Sequence, residues 1–129
     1  MTTADQFLLA LAVYREARNQ PLDAKRAVVH TILNRVRNPG FPKSVAKVIT
    51  QPNAFSSFRK DDANYGKLPD PYNLADWRAF EECCEAAENP GEDPTRGATF
   101  YHSPMAQPPK WADPAKLTAE IGAFRFFSV

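Results

Sequence analysis

The sequence predicts a single α+β domain, residues 1–129, that is mostly helical with a small antiparallel β-ribbon near its C-terminus. Three observations lead to this prediction. Apolar residues recur at helical spacing in several segments before residue 89, whereas the last third contains two short runs rich in β-branched and aromatic residues. A hydrophobic content of 43% is enough to bury a core, and 129 residues are too few for a second folded unit.

The first helix is predicted to begin at a capping box formed by Thr3 and Gln6 and to run to about Arg18. The helix is expected to end before Pro21, because proline has no amide hydrogen with which to continue the helical hydrogen-bond pattern. Asp23 is a good N-cap for a second helix, which carries apolar residues every three or four positions and ends at an Asn-Pro-Gly turn.

Two more helices are predicted further along the chain. A short one covers residues 44–50, and a longer one runs from the cap Asn73 to about Glu88. The inward-facing residues expected in the longer helix are Leu74, Trp77, Phe80, Cys84 and Ala87. Residues 51–72 show no periodicity, and an irregular segment of that length in a compact domain is more often functional than idle.

The β-ribbon is predicted from residues 98–102 and 121–127, which we expect to pair as antiparallel strands against the helices. A proline-rich stretch around Trp111 joins them. The chain has 12 prolines and 5 glycines, and eleven of the prolines fall within residues 39–71 and 90–114. Because proline restricts φ, both stretches are expected to be stiff connections.

Composition argues against several classes of function. Sixteen basic and fifteen acidic residues give a net charge of +1, which disfavours binding to nucleic acid or membrane through bulk charge. No apolar run approaches the roughly 20 residues that span a bilayer, so no membrane insertion is expected. The apolar residues 7–13 are not preceded by the positive charge of a signal peptide, and they are expected to be part of the first helix.

Cysteine and histidine give no sign of a metal site or a cysteine nucleophile. Cys83 and Cys84 are adjacent, and disulfide geometry disfavours a bond between neighbours, so free thiols on a helix are expected. His30 and His102 lack metal-ligand spacing, and we expect no metal and no cofactor. His30 falls on the polar side of the second helix and is expected to be solvated, whereas His102 ends a strand beside a proline-rich loop, which suits binding.

Glu16 is the candidate general acid. It lies in the last turn of the first helix, where the helix dipole disfavours negative charge, and it continues an apolar stripe formed by Leu9, Ala12 and Val13. Desolvation and the dipole are both expected to raise its pKa, which suits an acid working near neutral pH. The alternative interpretation is a surface glutamate that pairs with a neighbouring arginine.

The second helix carries the basic residues Lys25, Arg26, Arg35 and Arg37, which are expected to form a solvated face. Nucleic-acid binding through this helix is a minor hypothesis, because the connection that follows is longer than a helix-turn-helix allows. Aromatic residues in loops and at strand ends instead favour sugar rings, which offer C–H faces to aromatic faces. The aromatic residues in such positions are Phe55, Phe58, Tyr65, Tyr72, Tyr101 and Trp111. The competing interpretation is that they fill the core beneath long loops.

Taken in order, the motifs resemble those of the cell-wall hydrolase family of the spore-cortex-lytic enzyme type, and they cover nearly the whole chain. The similar segments are YREARNQP at 14–21, AVVHTILNRVR at 27–37, GFP at 40–42, VAKVITQ at 45–51, AFS at 54–56, ATFYH at 98–102, Trp111, and the pairs Ile121-Gly122 and Phe126-Phe127. The sequence departs from the family pattern at Asn19 and Gln20, where the family usually has Gly-Glu. That change removes a carboxylate expected close to Glu16.

The resemblance implies a lysozyme-like fold and cleavage of the β-1,4 bond between N-acetylmuramic acid and N-acetylglucosamine in peptidoglycan. It implies that Glu16 is the catalytic acid of a lytic transglycosylase, which leaves a 1,6-anhydro end and needs only one catalytic carboxylate. The substrate-binding candidates on motif positions are Asn34, Phe55, Ser56, Tyr101, His102 and Trp111.

Two alternatives stay open. A hydrolytic muramidase would use a second carboxylate, for which Asp61, Asp62 and Asp70 are candidates, and a non-catalytic relative would bind the wall without cleaving it. The expected partner is the peptidoglycan glycan strand rather than nucleic acid, and the protein is expected to be a monomer that acts on the cell wall, in the periplasm or outside the cell. With no signal peptide or wall-binding repeat in the sequence, an excised catalytic domain or a phage-type endolysin is expected.

Overall fold

The computed structural model describes the chain except Asn53, Arg59 and Ala106, and it describes Ser56 by its backbone alone. The helices are α1 (Thr3–Ala17), α2 (Leu22–Arg37), α3 (Val45–Ile49) and α4 (Leu74–Glu88), and the strands are β1 (Phe100–His102), β2 (Leu117–Ile121) and β3 (Phe124–Phe127). Short 3₁₀ helices cover Ser56–Phe58 and Pro114–Lys116. The prediction of a mostly helical α+β fold with an antiparallel sheet near the C-terminus is confirmed. Over these described residues, no helix combines the length and apolar content needed to cross a bilayer.

The sheet contains one strand beyond the two that the sequence predicts. In the described part of the chain its order is β1-β3-β2, and both neighbouring pairs are antiparallel. The predicted run 121–127 is in fact part of a hairpin, in which Ile121 ends β2 and Phe124 begins β3. The sequence of β2, Leu-Thr-Ala-Glu-Ile, includes alanine and glutamate, which are depleted in strands, so its propensity gives little signal.

The starts of two helices differ slightly from the prediction. The capping box of α1 begins one residue earlier, since Thr2 Oγ1 accepts from the Asp5 amide at 3.1 Å and Asp5 Oδ2 accepts from the Thr2 amide at 3.0 Å. Two threonines in succession give the same spacing, so the pattern alone does not choose between them. Asp23 lies in the first turn of α2 because Pro21 takes the cap position.

The core is arranged around α1, which packs against the other three α-helices. Residues 9–15 of α1 are all buried. Val28 and Ile32 of α2 and Phe126 of β3 are fully buried against the same core. Because its second half is enclosed on most sides, α1 carries the side chains of its last turns into the interior of the protein.

The buried face of α4 differs from the predicted one. Ala87 is buried and Phe80 and Cys84 are half-buried, but Leu74 and Trp77 are 63% and 37% exposed. The buried face consists of alanine and cysteine side chains. Small side chains allow the backbones of neighbouring helices to approach closely, so the large apolar side chains at the start of α4 lie at the edge of the interface instead.

The four basic residues of α2 do not form a solvated face, contrary to expectation. Lys25 is 1% exposed, and its Nζ donates to Glu82 Oε1 at 2.6 Å, which joins α2 to α4. Arg26 pairs with Glu85 at the surface, with 3.4 Å between Nη2 and Oε1. Arg35 is buried in the interior. This arrangement weakens the hypothesis that α2 binds nucleic acid, because the four charges do not share one exposed surface.

His30 is buried rather than solvated. It is 5% exposed, and its Nε2 lies 3.0 Å from the carbonyl oxygen of Pro90, so the ring joins α2 to the segment that follows α4. The helical wheel alone could not reveal this, because the polar side of α2 is covered by that later segment. Cys83 and Cys84 are free thiols on α4, as expected.

The turn between β2 and β3 docks the sheet on the junction of α1 and α2. Gln20 Oε1 accepts a hydrogen bond from the Ala123 amide at 3.0 Å, so the residue that departs from the family pattern contacts this turn. Gly122 has φ of +57°, and a Cβ there would lie 2.9 Å from both Ala24 Cβ and Gln20 Oε1. The turn therefore requires glycine for its left-handed conformation and for the close approach.

We predict that Gly122→Ala lowers the free energy of unfolding by about 2–4 kcal/mol, because it adds left-handed strain and a steric clash. Gly91→Ala is the matched control, since Gly91 has φ of +68° and a Cβ there would have nothing within 4 Å. The control should lose only about 1–2 kcal/mol. Denaturant unfolding of both variants measures the difference, and equal losses would contradict the docking role of the turn.

Candidate active site

Glu16 lies at the C-terminal end of α1, half-buried between two buried neighbours in the sequence. Burial raises the pKa of its carboxyl group above the ordinary value of 4.5. Hydrogen-bonding groups on Tyr101 and Ser57 act to lower this pKa, and the nearby charge of Asp62 acts to raise it. The net direction is upward, as expected from the sequence, because desolvation of the charged form is the largest of these effects.

Tyr101 supports the carboxyl group from the sheet. Its hydroxyl donates to Glu16 Oε1 at 3.2 Å. Its ring packs on Phe124 and Phe126 of β3, with centroids 5.1 and 5.7 Å away. Burial, together with the adjacent Glu16 carboxyl, raises the pKa of Tyr101 well above its ordinary value. The hydroxyl therefore stays protonated and remains a hydrogen-bond donor to Glu16.

Ser57 approaches the same carboxyl group from the 3₁₀ helix Ser56–Phe58. Ser57 is fully buried, and its Oγ makes no hydrogen bond of good geometry with any residue that the structure describes. The hydroxyl nevertheless lies near enough to Glu16 to lower the pKa of the carboxyl group. The Ser57 hydroxyl therefore favours the carboxylate form of Glu16.

A cavity of about 280 Å³ opens beside Glu16, and we call it the aromatic cavity. It brings together five predicted site residues: Glu16, Phe55, Tyr101, His102 and Trp111. The other lining residues are Arg35, Ala54, Phe100, Ser103, Met105 and Phe124. Most of these wall residues come from the two proline-rich stretches and β1, whereas the carboxyl group comes from a helix. The arrangement offers aromatic faces and a few polar groups to one ligand.

Glu16 also lines a second cavity of about 260 Å³, and we call it the polar pocket. Its lining residues are Arg15, Glu16, Arg18, Asn19 and Asn64. Arg18 Nη2 donates to Asn64 Oδ1 at 3.1 Å, which ties the end of α1 to the irregular segment after the 3₁₀ helix. Glu16 therefore lines both an aromatic cavity and a polar one.

His102 and Trp111 form one wall of the aromatic cavity. The His102 ring stacks on Phe127 with a centroid distance of 5.4 Å, and its Nδ1 lies 2.7 Å from the Ser103 carbonyl oxygen. A carbonyl only accepts, so Nδ1 carries the proton in that bond. Trp111 packs on Phe100 with centroids 4.9 Å apart. These contacts with the sheet and with Ser103 hold both rings in the wall.

Two predicted site residues are not brought to the aromatic cavity by any described contact. Asn34 Nδ2 donates to Asp93 Oδ2 at 2.8 Å and to the Ala98 carbonyl oxygen at 2.9 Å, so this side chain holds the segment that leads into β1. The side chain of Ser56 lies outside the described part of the structure. The amide nitrogen of Asn34 is therefore used within the fold, and its role in binding stays a prediction.

Arg35 is the charged lining residue of the aromatic cavity that sequence reasoning missed. The sequence predicts a solvated position for it, yet it is 7% exposed, and its Nε donates to the Thr99 carbonyl oxygen at 2.6 Å. The signal was available in the sequence: Arg35 follows Val28 and Ile32 on the same side of α2, as Glu16 follows the apolar stripe of α1. Burial lowers the pKa of Arg35, but a guanidinium remains charged at neutral pH.

Among the three candidate second acids, Asp62 has a direct electrostatic effect on Glu16, because its charge raises the Glu16 pKa. Its Oδ1 accepts from the Asn64 amide at 2.8 Å. Asp70 instead accepts from the Tyr72 amide at 2.9 Å and is exposed. Asp61 is exposed in the same segment as Asp62.

Other chemistries find little support. Burial raises the pKa of the Cys83 thiol to about 12, which keeps it protonated and unreactive. Across residues 1–129 without the three that the structure leaves undescribed, no group of three or more His, Cys, Asp or Glu side chains could hold a metal ion. The half-buried Glu16 carboxyl, with its raised pKa, is a group that could take part in acid–base chemistry.

The fold has relatives of known structure. Two solved structures have similar folds. One is the catalytic domain of the Bacillus cereus SleB protein, with a TM-score of 0.74 and 32% identity, and the match covers 99% of this chain and 92% of that domain. The catalytic domain of the germination-specific lytic transglycosylase SleB from Bacillus anthracis, with TM-score 0.75 and 30% identity, covers 99% and 97%. The lysozyme-like fold expected from the resemblance is thus confirmed.

Longer curated relatives match in sequence. The spore cortex-lytic enzyme of Halalkalibacterium halodurans is 36% identical over 104 residues, which are 81% of this chain and 28% of the relative. That of Bacillus cereus is 33% identical over 119 residues, which are 92% of this chain and 42% of the relative. This chain spans less than half the length of these relatives. The model of the cell wall hydrolase family matches residues 19–127, so its match begins just after Glu16. The chain belongs to the cell wall hydrolase family.

Proposed function

We propose that this chain cleaves the glycan strand of peptidoglycan at the β-1,4 bond between N-acetylmuramic acid and N-acetylglucosamine, with Glu16 as general acid and then general base. The observation that carries the proposal is the half-buried Glu16, whose carboxyl pKa is raised by burial and which lines two cavities. Such an enzyme would act in the cell wall and would bind the glycan strand.

The protonated form of Glu16 starts the reaction. Its raised pKa keeps the proton on the carboxyl group at higher pH than an exposed glutamate would. Glu16 donates this proton to the glycosidic oxygen as the bond from C1 to that oxygen breaks. The carboxylate that results is then stabilised by the Tyr101 hydroxyl and by the Ser57 hydroxyl, which both favour the charged form.

The same carboxylate completes the reaction as a base. It accepts the proton of the C6 hydroxyl of muramic acid as that oxygen attacks C1, which leaves a 1,6-anhydro end and returns Glu16 to its protonated form. This route uses one carboxylate, whereas most glycosidases use a pair. The similar catalytic domain from Bacillus anthracis is that of a lytic transglycosylase, which supports this choice.

The two cavities suggest where the sugars lie. The aromatic cavity, at about 280 Å³, has room for one sugar residue, with its C–H faces against aromatic rings. The next sugar would extend into the polar pocket, where Arg15, Arg18 and asparagine side chains can bind hydroxyl and carbonyl oxygens. The glycosidic bond between the two sugars would then lie next to the Glu16 carboxyl group.

The two alternative functions are hydrolysis of the same bond and binding of the wall without cleavage. Hydrolysis would need a base that activates water, and Asp62 is favoured for that role because its charge already acts on Glu16. A binding protein without turnover would not need the raised Glu16 pKa, so this feature favours an enzyme. A monomeric state is part of the proposal, since Glu16, Tyr101 and the aromatic rings all come from one chain.

We predict that Glu16→Gln lowers kcat/KM for wall digestion by about 10²–10⁴-fold, because the amide cannot donate or accept the proton in turn. Glu81→Gln, which removes an exposed carboxylate of α4, is the matched control and should leave activity unchanged. Turbidity loss of purified wall and release of soluble fragments measure both. Retention of more than a few per cent of activity by Glu16→Gln would contradict the role of Glu16.

The same substitution should stabilise the fold at neutral pH. A carboxyl whose folded-state pKa is raised contributes full stability below its ordinary value of 4.5 and loses it as pH rises through the folded-state pKa. The unfolding free energies of the wild type and Glu16→Gln should therefore converge at low pH, and the variant should be the more stable above the raised pKa. Greater stability of the wild type at pH 7 would contradict this sign.

The two cleavage routes differ in their products. Mass spectrometry of the digested wall is predicted to find 1,6-anhydro ends, which lack one water relative to reducing ends. Asp62→Asn should leave these ends unchanged, and Asp70→Asn is its control. Reducing ends from the wild type, lost together with activity in Asp62→Asn, would instead establish hydrolysis with Asp62 as the second acid.

A further inference from the structure

We propose that Arg35 binds, within the aromatic cavity, the carboxylate of a muramic acid residue whose lactyl group carries no peptide. This inference rests on the proposed function and extends it, because it states which part of the glycan strand the site prefers. Arg35 would be a binding residue for substrate, in a cavity that it shares with Glu16.

The first argument is a buried cation without an anionic partner. Arg35 is 7% exposed, and among the described residues no ion pair joins it to a carboxylate. Its Nε is used by the Thr99 carbonyl oxygen at 2.6 Å, whereas its Nη groups make no hydrogen bond with the described part of the chain. Buried arginine is rare unless it is paired, and here a bound ligand can supply the missing anion.

The second argument is the rigid placement of the guanidinium group. Its central carbon lies 4.7, 5.1 and 5.5 Å from the ring centroids of Phe100, Phe41 and Phe55. Phe100 and Phe55 also line the aromatic cavity. Aromatic faces partly compensate the buried charge and hold the planar group in one orientation. A planar, pre-oriented guanidinium matches a carboxylate better than it matches a neutral hydroxyl.

The third argument is the size of the cavity, which favours the lactyl carboxylate over the carboxylates of a stem peptide. A volume of about 280 Å³ leaves room for one sugar residue and its short substituents. The lactyl carboxylate is attached to the muramic acid ring itself, so it enters with the ring. Attachment of a stem peptide converts that carboxylate into a neutral amide, and the peptide's own carboxylates lie several bonds further away.

Binding of this carboxylate would also assist the chemistry. The other titratable side chains that line the cavity are Glu16, Tyr101 and His102. A negative charge brought into the cavity favours the protonated form of Glu16, which is the form that starts the reaction. Substrate binding by Arg35 and proton donation by Glu16 would thus reinforce each other.

The test compares two forms of one substrate. Glycan strands freed of peptide by an amidase are offered either with free lactyl carboxylates or with those carboxylates converted to methylamides. The wild type is expected to cleave the carboxylate strands with kcat/KM at least about tenfold higher, as a charge-assisted hydrogen bond implies. Arg35→Gln should lose this preference, whereas Arg37→Gln, which removes an exposed charge two residues along α2, should keep it.

The outcomes separate this inference from the proposed function. Equal cleavage of both forms by the wild type overturns the role of Arg35 and leaves the proposed function standing, whereas cleavage of neither form, nor of whole wall, counts against the proposed function itself. A folded Arg35→Gln variant that keeps the wild-type preference also overturns the inference. The inference is likewise overturned if the wild type cleaves fully peptide-substituted strands as fast as peptide-free strands. Circular dichroism checks folding, and if Arg35→Gln does not fold, the wild-type comparison decides alone.

Discussion

The hydrogen bond from Tyr101 to Glu16 joins the end of α1 to the sheet, and the proposed site depends on it. Burial favours the neutral carboxyl group, while the tyrosine hydroxyl favours the carboxylate. A group exposed to both effects can donate a proton and then exist as a stabilised carboxylate within the same site. The wall of the aromatic cavity follows from the same contact, since Tyr101 is fixed by the rings of β3.

The rest of the fold keeps Tyr101 and Glu16 in contact. The Gly122 turn docks on the junction of α1 and α2, and Asn34 holds the segment that leads into β1. The remaining walls come largely from the proline-rich stretches, which supply Phe55 and Trp111. Stiff connections reduce the conformational entropy lost when the cavity is formed and filled, which is one physical reason for the unusual proline content.

The sequence predicts the elements and the position of Glu16 better than it predicts side-chain surroundings. An apolar stripe that ends in a carboxylate marks Glu16, the order of the helices follows from periodicity, and β1 and β3 follow from their β-branched and aromatic residues. The same logic applied to α2 would mark Arg35, but an arginine on a helix is more often solvated, and that general tendency favours the wrong environment here. The buried face of α4 could not be predicted from its large apolar residues, because close helix packing selects its small ones.

Other features depend on parts of the chain distant in sequence. His30 is covered by the Pro90 segment, Lys25 is paired with Glu82, and β2 is stabilised by its pairing with β3 rather than by its own propensity. Such tertiary contacts override local preference, so a single sequence gives no direct signal for them. Family resemblance helps most at motif positions, where five predicted site residues meet at one cavity, but it also includes Asn34, whose amide is used within the fold.

The central claim is that the interior environment of Glu16 raises its pKa. Carboxyl ¹³C NMR titration of the wild type measures this directly, with the Glu16 resonance identified by its absence in Glu16→Gln. The predicted midpoint lies above the ordinary value of 4.5. A midpoint at or below that value would mean that hydrogen bonding outweighs burial, and it would contradict the account of Glu16 as a general acid.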